Sequence, residues 1–160
     1  MKRFRIIVPL GLAGIAAVAA TAALAAASPF TATYTGKVTE KVSGQNITAS
    51  ATGKGTGTIV KSSTVAGVVH ATTANPPCSP FNGPASIKSG MGMLKLNVLP
   101  ISRGCAAGED DRDHITLSGS AKVVGGTGKF KSAKGTLRFS GQYDRGKGTF
   151  AVKLRGSLSY

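Results

Sequence analysis

The chain contains two histidines, His70 and His114, which are the side chains best suited to proton transfer near neutral pH. Either could act as a general base if an acid such as Glu40 or Asp113 lay beside it in the fold. A lone histidine on a strand is usually structural, and no Gly-x-Ser-x-Gly elbow or Ser-His-Asp order indicates a hydrolase. No catalytic residue is assigned, and the sequence favours a non-catalytic protein over an enzyme.

Four of the six acidic residues lie within residues 109–113. Asp111 and Asp113 could supply oxygen ligands to calcium. The segment lacks the EF-hand spacing and its closing Glu, so a solvated acidic loop that pairs with basic side chains is the stronger interpretation. We therefore expect no metal and no cofactor.

Residues 141–148, Gly-Gln-Tyr-Asp-Arg-Gly-Lys-Gly, are similar to a phosphate-binding loop. The required Ser or Thr is displaced by one residue, and a strand pattern follows where a helix should begin. The segment is better interpreted as a hairpin turn. Asn46-Ile47-Thr48 is a formal glycosylation sequon, which matters only in a eukaryotic host, whereas the N-terminus is typical of bacteria.

The two cysteines, Cys78 and Cys105, both lie in sequence typical of loops. Neither has a second cysteine or a histidine at zinc spacing nearby, which argues against a metal site or a reactive thiol. In an exported protein the default for such a pair is a disulfide, which would link two long connections and contribute on the order of 3 kcal/mol.

The N-terminus has the layout of a secretory signal peptide. A basic segment, residues 1–5, precedes an apolar run, residues 6–23, and Ala27 ends a small-x-small cleavage site before Ser28. The alternative is an uncleaved membrane anchor, because the run is just long enough to cross a bilayer. Cleavage would release one soluble, extracytoplasmic domain, residues 28–160, that does not span a membrane.

The domain predicted for residues 28–160 is strongly basic. It has 133 residues and keeps 17 of the 20 basic residues and all six acidic ones, a formal charge of +11. Such a charge favours binding to polyanions, such as teichoic acids, anionic lipid or nucleic acid, although Lys and Arg on wet strand faces also keep a protein soluble. The absence of Trp and the few aromatic residues argue against specific nucleic-acid recognition.

Apolar and polar residues alternate throughout this domain, which predicts strands with one buried face. The clearest case is the C-terminus, where Phe150, Val152, Leu154, Leu158 and Tyr160 share one face. The predicted strands are 30–42, 47–53, 54–62, 65–73, 91–99, 114–124, 137–143 and 150–160, with weaker pairing at 85–89.

The proline-rich segments 74–84 and 100–113 are expected to be irregular. Eight or nine sequential antiparallel strands predict a closed β-barrel, because closure removes exposed edges, with a β-sandwich as the alternative.

Residues 124–130, Val-Gly-Gly-Thr-Gly-Lys-Phe, followed by Ala133-Lys-Gly, resemble a segment of the allene oxide cyclase and dirigent barrel families, which include small secreted bacterial proteins. The specific match covers residues 114–160. The resemblance implies an eight-stranded barrel with a central cavity. Gly125, Gly126 and Gly128 would form its tight turn and Phe130 would close one end. None of the families' catalytic positions aligns with this chain.

Three functions follow from these observations. The leading hypothesis is a secreted barrel that binds a small apolar or amphipathic molecule in its cavity. The second is a dirigent- or cyclase-type enzyme acting on a hydrophobic intermediate, which requires charged groups inside the barrel. The third is a basic cell-envelope-associated protein held by anionic polymers. An oligomer is compatible with all three.

Overall fold

A computed structural model describes residues 26–73, 77–108 and 111–160. These residues form an antiparallel barrel in which each strand pairs with the next and the last pairs with the first. The predicted eight-stranded closed barrel is confirmed, and the sandwich alternative is wrong. The strands are β1 (Ser28–Ser43), β2 (Asn46–Gly57), β3 (Lys61–Thr72), β4 (Cys78–Ser89), β5 (Gly92–Ala106), β6 (His114–Gly126), β7 (Lys134–Asp144) and β8 (Thr149–Ser159).

The up-and-down order places successive turns at opposite ends of the barrel. The strand ends that the β1–β2, β3–β4, β5–β6 and β7–β8 connections join lie at one end, which we call the acidic end. The connections at 58–60, 90–91 and 127–133 lie at the other, which we call the basic end. The most deeply buried side chains cluster toward the basic end and include Phe30, Ile87, Leu94, Phe130 and Leu158.

Strand β2 shows how the barrel accommodates its large side chains. From Ala49 onward its inward-facing row consists of small residues, among them Gly53 and Gly55, while the outward row is polar. Tyr34 on β1 pairs with Gly55, and its hydroxyl group reaches Ser63 on β3 at 2.9 Å. The aromatic ring thus takes the space that a side chain at residue 55 would need.

Several strand boundaries differ from the sequence prediction. β2 runs unbroken through Lys54, and the turn that follows it lies at 58–60. β4 includes Pro80 and Pro84, and β5 continues through Pro100 to Ala106, so the prediction that 74–84 and 100–113 are irregular was wrong for much of their length.

Pro84 and Pro100 are tolerated because each lies where pairing with a neighbouring strand is interrupted. β3 and β4 pair on either side of a gap that contains Pro84, and the β4–β5 register shifts between Phe81 and Gly83. The β5–β6 register shifts between Val98 and Arg103, which leaves Pro100 without a ladder partner. A proline at a bulge removes no hydrogen bond from the sheet.

The predicted signal peptide lies almost entirely outside the described residues, which begin at residue 26. β1 starts at Ser28, directly after the predicted cleavage site. Among the residues that the structure describes, no helix has the length and apolar character needed to cross a membrane.

Candidate functional site

The two histidines do not form the pairs expected from the sequence. The Nδ1 atom of His114 lies 2.7 Å from Asp111 and its Nε2 atom lies 3.8 Å from Asp144, at the acidic end. His70 lies on the outward face of β3 and contacts the hydroxyl group of Thr48 at 3.3 Å. Neither histidine pairs with Glu40, which forms an ion pair with Arg145 at 3.3 Å instead.

The His114 pair is an exposed ion pair. Its hydrogen bond to Asp111 raises the pKa of His114 and lowers the pKa of Asp111. The imidazole side chain is 64% exposed, so water surrounds it. The pair can hold a proton more firmly than a free histidine, but no hydrogen bond connects it to a nucleophile in the described part of the chain.

Glu40 is the acid that comes nearest to the barrel interior. It belongs to the inward-facing row of β1, and its side chain is 19% exposed. The adjacent Tyr143 is buried, and burial together with the Glu40 carboxylate raises the pKa of Tyr143 to about 12. Tyr143 is therefore a neutral hydrogen-bond donor at physiological pH. Because Arg145 neutralises Glu40, this cluster is better suited to closing the β7–β8 turn than to catalysis.

The segment 141–148 is a hairpin, as expected. The carboxylate of Asp144 accepts hydrogen bonds from the backbone N–H and the ammonium group of Lys147, at 2.9 and 2.6 Å. Lys147 is thus engaged with Asp144 in the hairpin turn. Within 26–73, 77–108 and 111–160, no three His, Cys, Asp or Glu side chains are grouped to hold a metal ion; residues 109 and 110 of the acidic loop lie outside the described residues.

Cys78 and Cys105 form a disulfide. They are directly opposed in the β4–β5 ladder, so the bond joins two neighbouring strands instead of the loops expected from the sequence. The bond holds the start of β4 to the end of β5, the strand that precedes the acidic loop.

The glycine-rich segment spans the end of β6, where Gly125 and Gly126 lie, and the β6–β7 connection at the basic end. Gly125 and Gly128 have φ angles of 110° and 59°, a region that favours glycine. A short 3-10 helix, Gly128–Phe130, follows, and the ring of the fully buried Phe130 lies 5.5 Å from that of Tyr160.

A site that the motif analysis did not identify lies on the outside of β6, β7 and β8. Arg138 and Arg155 are directly opposed in the β7–β8 ladder, and Lys153 lies two residues from Arg155 on the same outward row. We call this surface the cationic face. It contains a groove of about 880 Å³ lined by Ser118, Gly119, Thr136, Arg138, Phe139, Ser140, Lys153, Arg155, Gly156 and Ser157.

No ion pair among the described residues neutralises the charges of the cationic face. All four ion pairs found among the described side chains lie at the acidic end and involve Glu40, Asp111 or Asp144. Arg138, Lys153 and Arg155 take part in none of them. Three exposed cations beside serine and threonine hydroxyl groups form a surface that can bind an anion through charge and hydrogen bonds together.

Comparison with protein-family models and with curated proteins found no match for this chain. Function is therefore inferred from the geometry of the barrel and from the distribution of its charges.

Proposed function

We propose that the protein is a non-catalytic, extracytoplasmic protein that binds anionic polymers through its basic surface. The observation that carries this proposal is the separation of charge. The acids of the described residues, Glu40, Asp111, Asp113 and Asp144, all lie at the acidic end, and the cations of the cationic face have no acidic partner among them. A surface of one sign concentrates counter-ions of the other sign, polymeric ones included.

The proposed location rests on two independent features. The sequence begins with the pattern of a signal peptide, and a disulfide closes between Cys78 and Cys105. Disulfides persist in oxidising compartments and are rare in a reducing cytosol. Export would bring the domain to a bacterial cell envelope, where anionic polymers are abundant.

The test is retention of the exported protein by isolated cell envelopes. We expect the protein to bind at low salt and to elute by about 0.5 M NaCl, because the Debye length is then only a few ångströms. Envelopes stripped of their anionic polymers serve as the control and should retain little protein. Retention that persists at high salt, or on stripped envelopes, would contradict the proposal.

A second candidate function is binding of a small apolar molecule inside the barrel. Toward the acidic end the inward-facing Val38, Val69, Leu117 and Val152 are only partly buried, whereas the basic end is tightly packed. An apolar molecule could cover these side chains. Native mass spectrometry of protein secreted by its own host would reveal an added mass released on denaturation, and a bare disulfide-closed chain would argue against this function.

We also propose that the chain is related to the allene oxide cyclase and dirigent-like barrels. The eight-stranded closed barrel and the positive φ angles at Gly125 and Gly128 support this relationship. A fold by itself does not define an activity, so the relationship adds weight to a cavity ligand without identifying one.

A further inference from the structure

We infer that the groove of the cationic face is a docking site for a linear, phosphate-bearing polymer, bound by Arg138, Lys153 and Arg155. The inference rests on the proposed function and assigns it to one surface and one class of ligand. It makes binding a property of these three side chains, as opposed to a diffuse effect of net charge.

The ladder register brings the three cations together. Arg138 and Arg155 are direct cross-strand partners, and partners in an antiparallel pair have Cβ atoms about 5 Å apart. Lys153 is two residues from Arg155, about 7 Å along β8. Consecutive phosphates of one chain could therefore contact all three side chains without any movement of the barrel wall.

Two directly opposed arginines are unfavourable in an empty sheet, because like charges across a ladder repel. Neighbouring partners do not relieve the repulsion, since the residues beside this pair on β6 and β1 are the uncharged Ser120 and Thr31. An anion bound between the two guanidinium groups would turn this repulsion into attraction. The pair is thus better suited to a bound polyanion than to an unoccupied surface.

The chemistry of the groove favours phosphate. A guanidinium group presents two parallel N–H donors that match two phosphate oxygens, and the hydroxyl groups of Thr136, Ser140 and Ser157 lie beside the arginines. None of the exposed large hydrophobic residues lines the groove, and its single aromatic residue, Phe139, lies on the inward row. The groove therefore lacks the stacking surface that nucleic-acid bases need, and it has no exposed large hydrophobic side chain to insert into lipid.

The experiment compares two triple variants of the exported protein that lose equal charge. R138Q/K153Q/R155Q removes the proposed site, and K54Q/K88Q/K95Q removes three exposed lysines from β2, β4 and β5. The probe is long-chain inorganic polyphosphate. We expect the first variant to lose at least tenfold in affinity and the second to lose less than threefold. The slope of log affinity against log salt should fall by about two in the first variant, on the basis of about 0.7 per neutralised charge on a single-stranded polyanion.

A conservative variant guards against an effect of misfolding. R138K/R155K keeps both charges but loses the paired N–H donors, so it should fold like the original chain and bind polyphosphate several-fold more weakly. Unchanged affinity of R138K/R155K would contradict guanidinium recognition.

The remaining outcomes separate this inference from the proposed function. Equal losses in the two triple variants, with salt-sensitive envelope retention intact, would overturn the docking site and leave the proposed function standing. Binding of the unaltered protein to phosphatidylglycerol vesicles but not to polyphosphate would overturn the polymer as ligand. Absence of both envelope retention and polyphosphate binding would overturn the two together.

Discussion

At the scale of single residues, the contact between His114 and Asp111 is the clearest titratable feature. The hydrogen bond that His114 donates to Asp111 is the largest cause of the raised pKa of His114, and the charge of Asp144 raises it further. Because the folded pKa is higher than the unfolded value, the protonated pair stabilises the fold below the unfolded pKa. That contribution is lost as the pH rises through the folded pKa.

We predict that D111N lowers the pKa of His114 to the ordinary value of 6.5 or below, because desolvation and the charge of Lys147 then outweigh the charge of Asp144. The pKa can be measured by following the imidazole resonances through an NMR pH titration. D113N is the matched control, because no hydrogen bond or ion pair of the Asp113 side chain is found within the described residues. An unchanged pKa in D111N, or an equal decrease in D113N, would contradict the assignment.

From the sequence we expected an acid beside a histidine, but we named the wrong acids. The expected partners were Glu40 and Asp113, whereas the observed partner of His114 is Asp111. In the acidic loop the candidate acids are separated by one or two residues, and the backbone path decides which carboxylate reaches the imidazole. Composition and spacing contain little information about that path. The cysteine pair was easier to predict, because the chain has only two cysteines.

At the scale of the strands, the alternation of apolar and polar residues predicted most of the barrel. The prolines led us to predict irregular segments where strands in fact continue. Prolines usually mark loops because they lack a ladder donor. Here Pro84 lies in a gap of the β3–β4 ladder, and Pro100 lies at a register shift of β5. At the β5 bulge the hydroxyl group of Ser102 accepts a hydrogen bond from the N–H of Ser120 at 3.3 Å and donates one to its carbonyl at 3.4 Å, partly replacing ladder bonds. Such compensation depends on a neighbouring strand, so local sequence cannot predict it.

The inward glycines of β2 should resist substitution, because other side chains fill the space above them. A Cβ atom at Gly55 would lie 2.6 Å from the ring of Tyr34 and closer still to the carbonyl of Thr33. We predict that G55A destabilises the fold by about 2 kcal/mol or more, as over-packing does. At Gly90 nothing lies within 4 Å of an added Cβ, so G90A should change stability by less than about 0.5 kcal/mol. Urea denaturation measures both, and equal values would contradict a filled position at Gly55.

The disulfide should stabilise the barrel by limiting the unfolded chain. Cys78 and Cys105 are separated by 27 residues, and closing a loop of that length is expected to contribute about 3 to 4 kcal/mol. C78S/C105S should lose this amount in urea denaturation, and the unaltered protein in reducing agent should behave like the variant. A loss below about 1 kcal/mol would mean that the unfolded chain is already constrained near these residues.

At the scale of the whole molecule, fold and surface differ in how far sequence predicts them. The outward positions of Arg138, Lys153 and Arg155 follow from alternation, but the pairing of the two arginines depends on the hairpin register. Asp144 pairs with Thr149 across the four-residue turn, and this closing pair sets Arg138 opposite Arg155. A shift of one residue would turn one strand's side chains to the other face. The cationic face is therefore a property of the assembled barrel.

The same charge distribution predicts how stability depends on salt. A chain with a formal charge of +11 over residues 28–160 repels itself, and that repulsion weakens as the Debye length falls from about 30 Å at 0.01 M salt to about 8 Å at 0.15 M. We therefore expect the melting temperature to rise with NaCl in a phosphate-free buffer. A melting temperature that falls over this range would contradict net repulsion.

Directly opposed arginines should account for a measurable part of this repulsion. Relief of a like-charge cross-strand pair is expected to be worth about 0.2 to 1 kcal/mol. R138Q/R155Q should therefore melt about 1 to 3 °C higher than the unaltered protein at 0.01 M NaCl, and the difference should shrink at 0.15 M. K54Q/K88Q removes the same charge from residues that are not direct ladder partners, so it should raise the melting temperature less. If the melting temperature rises equally in both variants, the repulsion comes from the net charge of the whole molecule. The arginine pair would then not be a site that lowers stability in order to bind an anion.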